Sequence, residues 1–272
     1  MEKHLEVERS IIKKYRKTIW NRFIGGIKDY QLLQEGDKVA VCISGGKDSM
    51  LLAKCMQHLQ KYSDFAFSVE YLVMDPGYAP ENRRQIEYNA QCLQIPIHIF
   101  EAPIFNVVDN IQQSPCYLCA RMRRGYLYKF AKSLGCNKIA LGHHFDDVVE
   151  TILMSTLYAG EYKTMMPKLH STNFPGMELI RPLYLVKEEQ IISWKNYNDL
   201  TFLQCACHFT ASAEMIADSK RQFVKQLIRQ LRKDSPNVDK NIFASVHNVN
   251  LETIIGYRTS DSDTIHSFLE RY

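Results

Sequence analysis

Five apolar residues, Val39-Ala40-Val41-Cys42-Ile43, run without a spacer into Ser44-Gly45-Gly46-Lys47-Asp48-Ser49, and apolar residues then recur at helical spacing to about Tyr62. An unbroken apolar run of this length suits a strand buried on both faces, the habit of a parallel sheet. A strand that turns directly into a helix through two glycines is a phosphate-binding arrangement. The glycines let backbone amides come close to an anion, and the helix N-terminus adds partial positive charge. Ser44 and Ser49 offer hydroxyls and Lys47 a cation. The GxxxxGK[ST] pattern is absent, which disfavours an ordinary P-loop nucleotidase. A Gly-Gly turn without a ligand is the plain alternative, and the place directly after the first buried strand argues against it.

The rest of the chain repeats strand and helix. The spacing predicts a helix over 3–33, from Leu5, Ile11, Ile12, Tyr15, Ile19, Trp20, Phe23 and Ile27. Strands are expected at Phe67–Met74, Ile97–Phe100, Lys138–Gly142 and Glu178–Arg181, and helices at Glu81–Leu93, Arg121–Leu134 and Asp146–Tyr158. Such alternation implies an α/β fold with a doubly wound parallel sheet, whose ligands gather at the carboxyl ends of the strands. Beyond Phe202 a cysteine pair precedes a long helix reaching Arg232, stopped by Ser235-Pro236-Asn237. We therefore expect an N-terminal helical extension over 1–35, the sheet domain with the phosphate loop over 36–200 and a C-terminal segment over 201–272.

Composition bounds the function classes. The 272 residues carry a net charge of +4, with 24% charged and 46% apolar residues, so disordered and acidic-tail readings are excluded. The charge permits a nucleic acid partner without demanding one. The N-terminus lacks the apolar core of a signal peptide, and no uncharged run could span a bilayer; a cytoplasmic protein with no membrane association is expected. Reduced thiols follow from that compartment. Of the eight cysteines, Cys42, Cys55, Cys92 and Cys136 sit in apolar patterns and read as core. Cys116-Tyr117-Leu118-Cys119 and Cys205-Ala206-Cys207 form close pairs. One pair alone could be a redox site; two favour a metal centre, and spacing does not separate zinc from iron–sulfur.

A second acidic motif, Gly142-His143-His144-Phe145-Asp146-Asp147-Val148-Val149-Glu150-Thr151, joins another strand end to a helix start. Its aspartates could cap the helix. They would equally stand on the rim of the phosphate loop, where Mg²⁺ needs carboxylate oxygens.

SGGKDS resembles the signature of PP-loop ATP pyrophosphatases, and GHHFDDVVET resembles the second element of their tRNA-modifying members. With EGDKVAVCISGGKDS, CYLCARMRRGYLY, GEYKTMMPKL (160–169) and the later cysteine pair, the chain resembles the tRNA 2-thiocytidine synthetase (TtcA) family over about Glu6 to Val249. This resemblance implies the HUP (adenine nucleotide alpha hydrolase-like) type of sheet with helical additions at both ends. It implies ATP split between the α and β phosphates, with AMP placed on the C2 oxygen of a pyrimidine and sulfur then replacing that oxygen; cytidine in a tRNA anticodon loop is the favoured target. Ser44, Gly45, Gly46, Lys47, Asp48, Ser49, Asp75, Gly142 and His143 would bind ATP or pyrophosphate, although Asp75 before Pro76-Gly77 also reads as turn chemistry. Asp48, Asp146, Asp147 and Arg123 would be catalytic, and Mg²⁺ the divalent cation. Cys116 and Cys119 would hold a [4Fe–4S] cluster with one iron open to carry sulfide. Cys205 is the favoured third ligand and Cys207 the alternative, because the family's usual CxxC is CxC here.

The resemblance further implies tRNA as partner, a sulfur donor (a cysteine desulfurase or free sulfide) and a homodimer. Lys163 and Lys168 would approach the RNA. Basic residues also gather at Lys13–Arg22, Arg121–Lys132 and Lys220–Lys233, each of which could simply be a solvated helix face. Two other functions use the same residues: a PP-loop sulfur transferase or amide-forming enzyme on a small molecule, or a non-catalytic nucleotide- or RNA-binding protein with structural zinc.

Overall fold

In the first strand, β1 (Lys38–Ile43), both faces are buried, but in two different cores. Val39, Val41 and Ile43 belong to one apolar cluster, and Ala40 and Cys42 to another on the opposite face. The period-two alternation of a strand thus divides a continuous apolar run between two layers of helix. That division makes this a doubly wound α/β sheet. The computed structural model describes residues 2–102, 104, 115–203, 214–259 and 264–272, with side chains omitted over 115–121 and 214–219.

The sheet continues with β2 (Ser68–Asp75), β3 (Ile97–Glu101), β4 (Lys138–Ala140), β5 (Lys168–His170) and β6 (Glu178–Ile180), in the order β3-β2-β1-β4-β6-β5. Every pairing is parallel except β5 with β6, so the expected parallel sheet has one antiparallel edge. That edge strand was not expected: three residues between polar loops carry no periodic signal. The chain runs outward in one direction through β1, β2 and β3 and in the other through β4 and β6, which places the topological switch point between β1 and β4.

On one face lie α1 (Lys3–Ile12), α2 (Asn21–Asp29), α3 (Lys47–Tyr62) and α7 (Glu188–Tyr197), around Phe23, Leu51, Met56 and Trp194. On the other, α5 (Pro115–Ser133) packs Tyr128 and Ala131 against Ile139 and Leu179. Between β2 and β3 runs α4 (Pro80–Cys92), and α6 (Phe145–Met154) follows β4. The C-terminal helices α8 (Glu214–Asp234) and α9 (Val238–Ser245) close over α6, where Val224 and Ile228 meet Phe145 and Val149. Near the C-terminus, β7 (Gly256–Tyr257) and β8 (His266–Ser267) form a short antiparallel pair. No helix among the described residues is long and apolar enough to cross a membrane.

The continuous helix expected over 3–33 is instead interrupted. A π turn at Arg16–Trp20 separates α1 from α2, with Trp20 N–H donating to the Tyr15 carbonyl five residues back. The cause is in the spacing. Val7, Ile11, Tyr15, Ile19, Phe23 and Ile27 are all buried and recur every four residues. Four exceeds the 3.6 residues of an α-helical turn, so the stripe would drift around the helix; one wide turn returns it to the core. The helix after β4 likewise gives way at Ser155 to a π turn, which ends at Gly160 with φ 63°.

Candidate active site at the sheet's switch point

The loops that follow β1 and β4 leave the sheet side by side at its carboxyl edge, where open α/β sheets bind ligands. They flank a cavity of about 620 Å³ whose walls include Ser44, Asp48, Ser49, Gly142, His143 and Asp147. Tyr78, Arg123, Arg124 and Arg181 line it as well. The two motifs read separately in the sequence therefore form one site.

The phosphate loop is held by its own hydroxyls. Ser49 Oγ donates to the Gly46 carbonyl (2.9 Å) and accepts from the Ser44 N–H (3.2 Å). Gly45 has φ +84°, and a Cβ there would stand 2.7 Å from Ile86 Cγ1 and 2.9 Å from Leu203 Cδ1. Gly142 is needed for a different reason. A Cβ on it would come within 3.0 Å of the Ser49 nitrogen and 3.1 Å of the Asp48 carbonyl carbon, so the β4 loop lies directly on the first turn of α3.

Asp48 and Lys47 are bonded to each other (3.1 Å), and Lys47 also bonds Glu188 on α7 (3.1 Å). Burial works against the Lys47 charge, but Asp48 and Glu188 more than offset it and its pKa is raised. Lys47 is thus tied beside the cavity, and it is not among the residues that wall it. The second oxygen of Asp48, Oδ1, is buried with no hydrogen-bond partner and lies 3.9 Å from His144 Nε2.

The two aspartates of the second motif separate. Asp147 walls the cavity and accepts the His144 N–H at 2.9 Å, capping α6 from within the site. Burial opposes its charge, but the His144 ring and N–H outweigh it and hold the carboxyl below its ordinary value. Asp146 does not wall the cavity. Its carboxylate accepts the Glu188 N–H (2.7 Å) and an Arg232 guanidinium N–H (3.0 Å), tying α6 to α7 and α8. His143 is kept neutral, its pKa brought down to about 4 by burial and then by nearby Arg181, and its Nδ1 has no partner among the described residues.

Asp75 is spent locally. Its carboxylate accepts the N–H groups of Gly77 (2.9 Å) and Tyr78 (2.7 Å) and bonds Arg83 (3.1 Å), which is the turn chemistry. Lys163 is exposed and paired with Glu161, and Lys168 donates to the Gln31 carbonyl (3.0 Å); neither walls the cavity. Arg123 does, and it bonds the Tyr78 hydroxyl at 3.3 Å.

Cys116 and Cys119 fall in the first turns of α5, where side chains are not described; Cys205 and Cys207 lie outside the described residues. The remaining thiols are unpaired, with Cys42, Cys55 and Cys136 buried and Cys92 half-buried. Cys42 also reaches the cavity wall, its thiol pushed up to about 12 by burial.

Arg181 was missed by sequence reasoning. It is 8% exposed, burial lowers its pKa to about 10, its guanidinium bonds the Met166 carbonyl, and its Nε has no partner. The available signal was a lone cation at the carboxyl end of a strand on the ligand rim. Glu188 was missed because α7 shows no strong apolar period.

Among the described residues no three His, Cys, Asp or Glu stand together as a metal cage. Mg²⁺ needs none: it is commonly held by one or two carboxylates together with substrate phosphates. The orphaned Asp48 Oδ1 and the ionised Asp147, facing one cavity with three guanidiniums, fit a polyphosphate carrying such a cation.

The PP-loop domain family matches residues 9–210. The tRNA-cytidine(32) 2-sulfurtransferase of Geotalea uraniireducens is 35% identical over 235 residues, 85% of this chain and 91% of that protein. The protein of the same name from Alcanivorax borkumensis is 34% identical over 264 residues, 95% and 90% of the two chains. Among solved structures, the U34-tRNA thiolase NcsA from Methanococcus maripaludis, with its [4Fe–4S] cluster, superposes with a TM-score of 0.66 at 20% identity, covering 87% of this chain and 82% of that one; it shares the fold. With a phosphate loop and a GHHFDD element on one cavity and relatives that match it nearly end to end, the chain belongs to the PP-loop family and, within it, to the tRNA-cytidine 2-sulfurtransferases.

Proposed function

We propose that this chain is an ATP-dependent tRNA sulfurtransferase that adenylates the C2 oxygen of a cytidine in the anticodon loop and replaces that oxygen with sulfur. The observation that carries the reading is the joint cavity, where the phosphate loop and the second acidic motif meet around the unpartnered oxygen of Asp48. The names of the relatives point to the same substrate class.

In this reading the cytidine C2 oxygen attacks the α-phosphorus of ATP, the O–P bond to pyrophosphate breaks, and a C2–O–AMP linkage results. A sulfur nucleophile then forms the C2–S bond as the C2–O bond to AMP breaks. Loop amides between Ser44 and Ser49 receive the departing pyrophosphate. Asp48 and Asp147 would hold Mg²⁺, which when bound neutralises phosphate charge. His143, neutral at physiological pH, can hydrogen-bond a phosphate or base without adding charge. Arg181 and Arg123 bring fixed positive charge to a desolvated cavity, where it stabilises developing negative charge more than in water.

The cluster assignment stays with the cysteines. Described residues next to the two pairs support it: Arg123, one helical turn beyond Cys119, walls this cavity, and the Leu203 N–H, two residues before Cys205, donates to the Gly45 carbonyl of the phosphate loop at 3.1 Å. Cys116, Cys119 and Cys205, with Cys207 as the alternative, would hold a [4Fe–4S] cluster that supplies a site for sulfide. A cysteine desulfurase or free sulfide would load it, and the working enzyme would be a homodimer.

Anaerobically purified protein tests the reading directly. With ATP, Mg²⁺, sulfide and tRNA lacking thiolation, nucleoside mass spectrometry is expected to find 2-thiocytidine, with one AMP per thiolated base. Colourless, iron-free protein that forms no 2-thiocytidine overturns it.

A further inference from the structure

The basic run Lys13–Arg22 has no part in the cavity just described, yet the fold gives part of it a setting. A second cleft, of about 530 Å³, opens between the N-terminal extension and the starts of α6, α7 and α9. Its first wall, from the extension, is Lys17, Thr18 and Arg22; Phe145, Lys187, Glu189, Lys240 and Phe243 line it from those helices. We infer that this cleft grips the phosphate backbone of the tRNA while the target base occupies the ATP cavity, which rests on the reading of the chain as a tRNA-modifying enzyme.

The π turn builds the first wall. Lys17 and Arg22 are five residues apart, which in an α-helix would set them well over a quarter-turn from each other. The wide turn bonds residues at that separation, as in Asn21 N–H to the Arg16 carbonyl, and brings both cations to one cleft. Such turns are rare in helices and frequent at functional sites. Neither Lys17 nor Arg22 has a hydrogen-bond or ion-pair partner among the described residues, and both are exposed. The Lys240 ammonium bonds only the neutral Asn237 amide oxygen (3.0 Å) among the described residues. Lys187 is neutralised by Asp239 (2.7 Å) and lies over the Phe145 ring. Three uncompensated cations thus stand against one carboxylate.

This chemistry favours a backbone phosphate over a small buried anion. Small-ligand sites converge buried polar groups on the ligand. Asp239, the buried polar group bonded to this cleft's lining, is a carboxylate already held by Lys187 (2.7 Å) and Arg232 (2.8 Å), and it offers no donor to a small anion that went deep. Phosphates that stay at the mouth are met instead by the long, exposed and flexible cations. The cleft also adjoins the catalytic rim: Phe145 opens the helix that carries Asp147, and Lys187 precedes the Glu188 that binds Lys47.

The salt dependence of tRNA binding tests this. Each phosphate neutralised contributes roughly 0.7–0.9 to the slope of log Kd against log salt. The Lys17→Ala/Arg22→Ala double variant is expected to bind tRNA about tenfold more weakly at low salt, with a slope shallower by roughly 1.5. A Lys3→Ala/Lys61→Ala double variant, which removes equal charge from exposed positions outside the basic runs, is expected to keep the wild-type slope. Equal slopes for wild type and the Lys17/Arg22 variant overturn the inference and leave the proposed function standing. So does an equal loss in both double variants, which would mean net charge alone. Wild-type protein that binds no tRNA removes both readings together.

Discussion

Gly142 carries a constraint that no neighbouring side chain can relieve, because the atoms its Cβ would meet, at 3.0–3.1 Å, are backbone atoms of Asp48 and Ser49. Gly142→Ala is therefore expected to push the β4 loop off the start of α3. Overpacking of this kind costs about 1–3 kcal/mol. It would weaken ATP binding far more than it lowers the unfolding midpoint, as nucleotide titration beside urea denaturation would record. Gly125→Ala on α5 is the control: nothing lies within 4 Å of a Cβ there, and alanine in a helix gains up to about 1 kcal/mol over glycine. Equal effects of the two substitutions would refute the constraint. At this scale the sequence is legible for the loop and less so for Asp146 and Asp147. Adjacent residues on a helix point about 100° apart, so one aspartate of a DD pair at a helix start can face a cavity while the other turns aside. The letters do not say which does; the direction of α6 puts Asp147 there and turns Asp146 to Glu188 and Arg232. Arg181 was hidden for a related reason, since a lone arginine has no pattern, only a place.

Among elements, the contact between α6 and α8 holds a titratable group of the second acidic motif to which the sequence assigned no role. Glu150 is 2% exposed, and its Oε2 has no hydrogen bond. Lys225 and Arg221 on α8 approach it only to 3.6 and 3.7 Å. Burial pushes its pKa up from 4.5 to about 7, against the pull of those two cations and with the help of Asp147. A carboxyl with a raised pKa binds its proton more tightly folded than unfolded, so its contribution to stability is largest below about pH 4.5 and is lost as the pH climbs through about 7. Glu150→Gln removes that slope. The variant is expected to gain on the wild type by a few kcal/mol between acid and mildly alkaline pH, at about 1.36 kcal/mol per pKa unit. Urea midpoints measured across that range check it; parallel pH profiles for the two proteins would mean that Lys225 and Arg221 already compensate the charge in full. Element boundaries follow the same logic as the π turn in the N-terminal extension. The four-residue apolar stripe was visible, but its conflict with a 3.6-residue turn is resolved only by packing against α3 and α7, which a one-dimensional pattern does not contain.

For the molecule as a whole, the two halves of the proposed reaction are carried by different parts of the chain. Activation belongs to the loops after β1 and β4, whose strands are adjacent and parallel at the centre of the sheet. In the proposal, sulfur delivery would fall to the cysteines at the start of α5 and to those between Leu203 and α8. The doubly wound order was legible because buried strands and intervening helices announce it; that the two cysteine pairs serve one cluster is a proposal drawn from the resemblance, since a one-dimensional pattern does not say where α5 and α8 dock. A cluster with one iron open to sulfide requires three thiolates, one fewer than a closed site. With Cys116 and Cys119 proposed as two of the three, one place is left for Cys205 or Cys207. Anaerobic Cys205→Ala protein is then expected to lose the visible absorbance of the cluster and its iron, while Cys207→Ala keeps both and retains thiolation. The reverse result exchanges the two residues and leaves the chemistry intact. Loss of iron in both variants would mean four thiolates and no open iron, and sulfur would have to reach the adenylated base by another route.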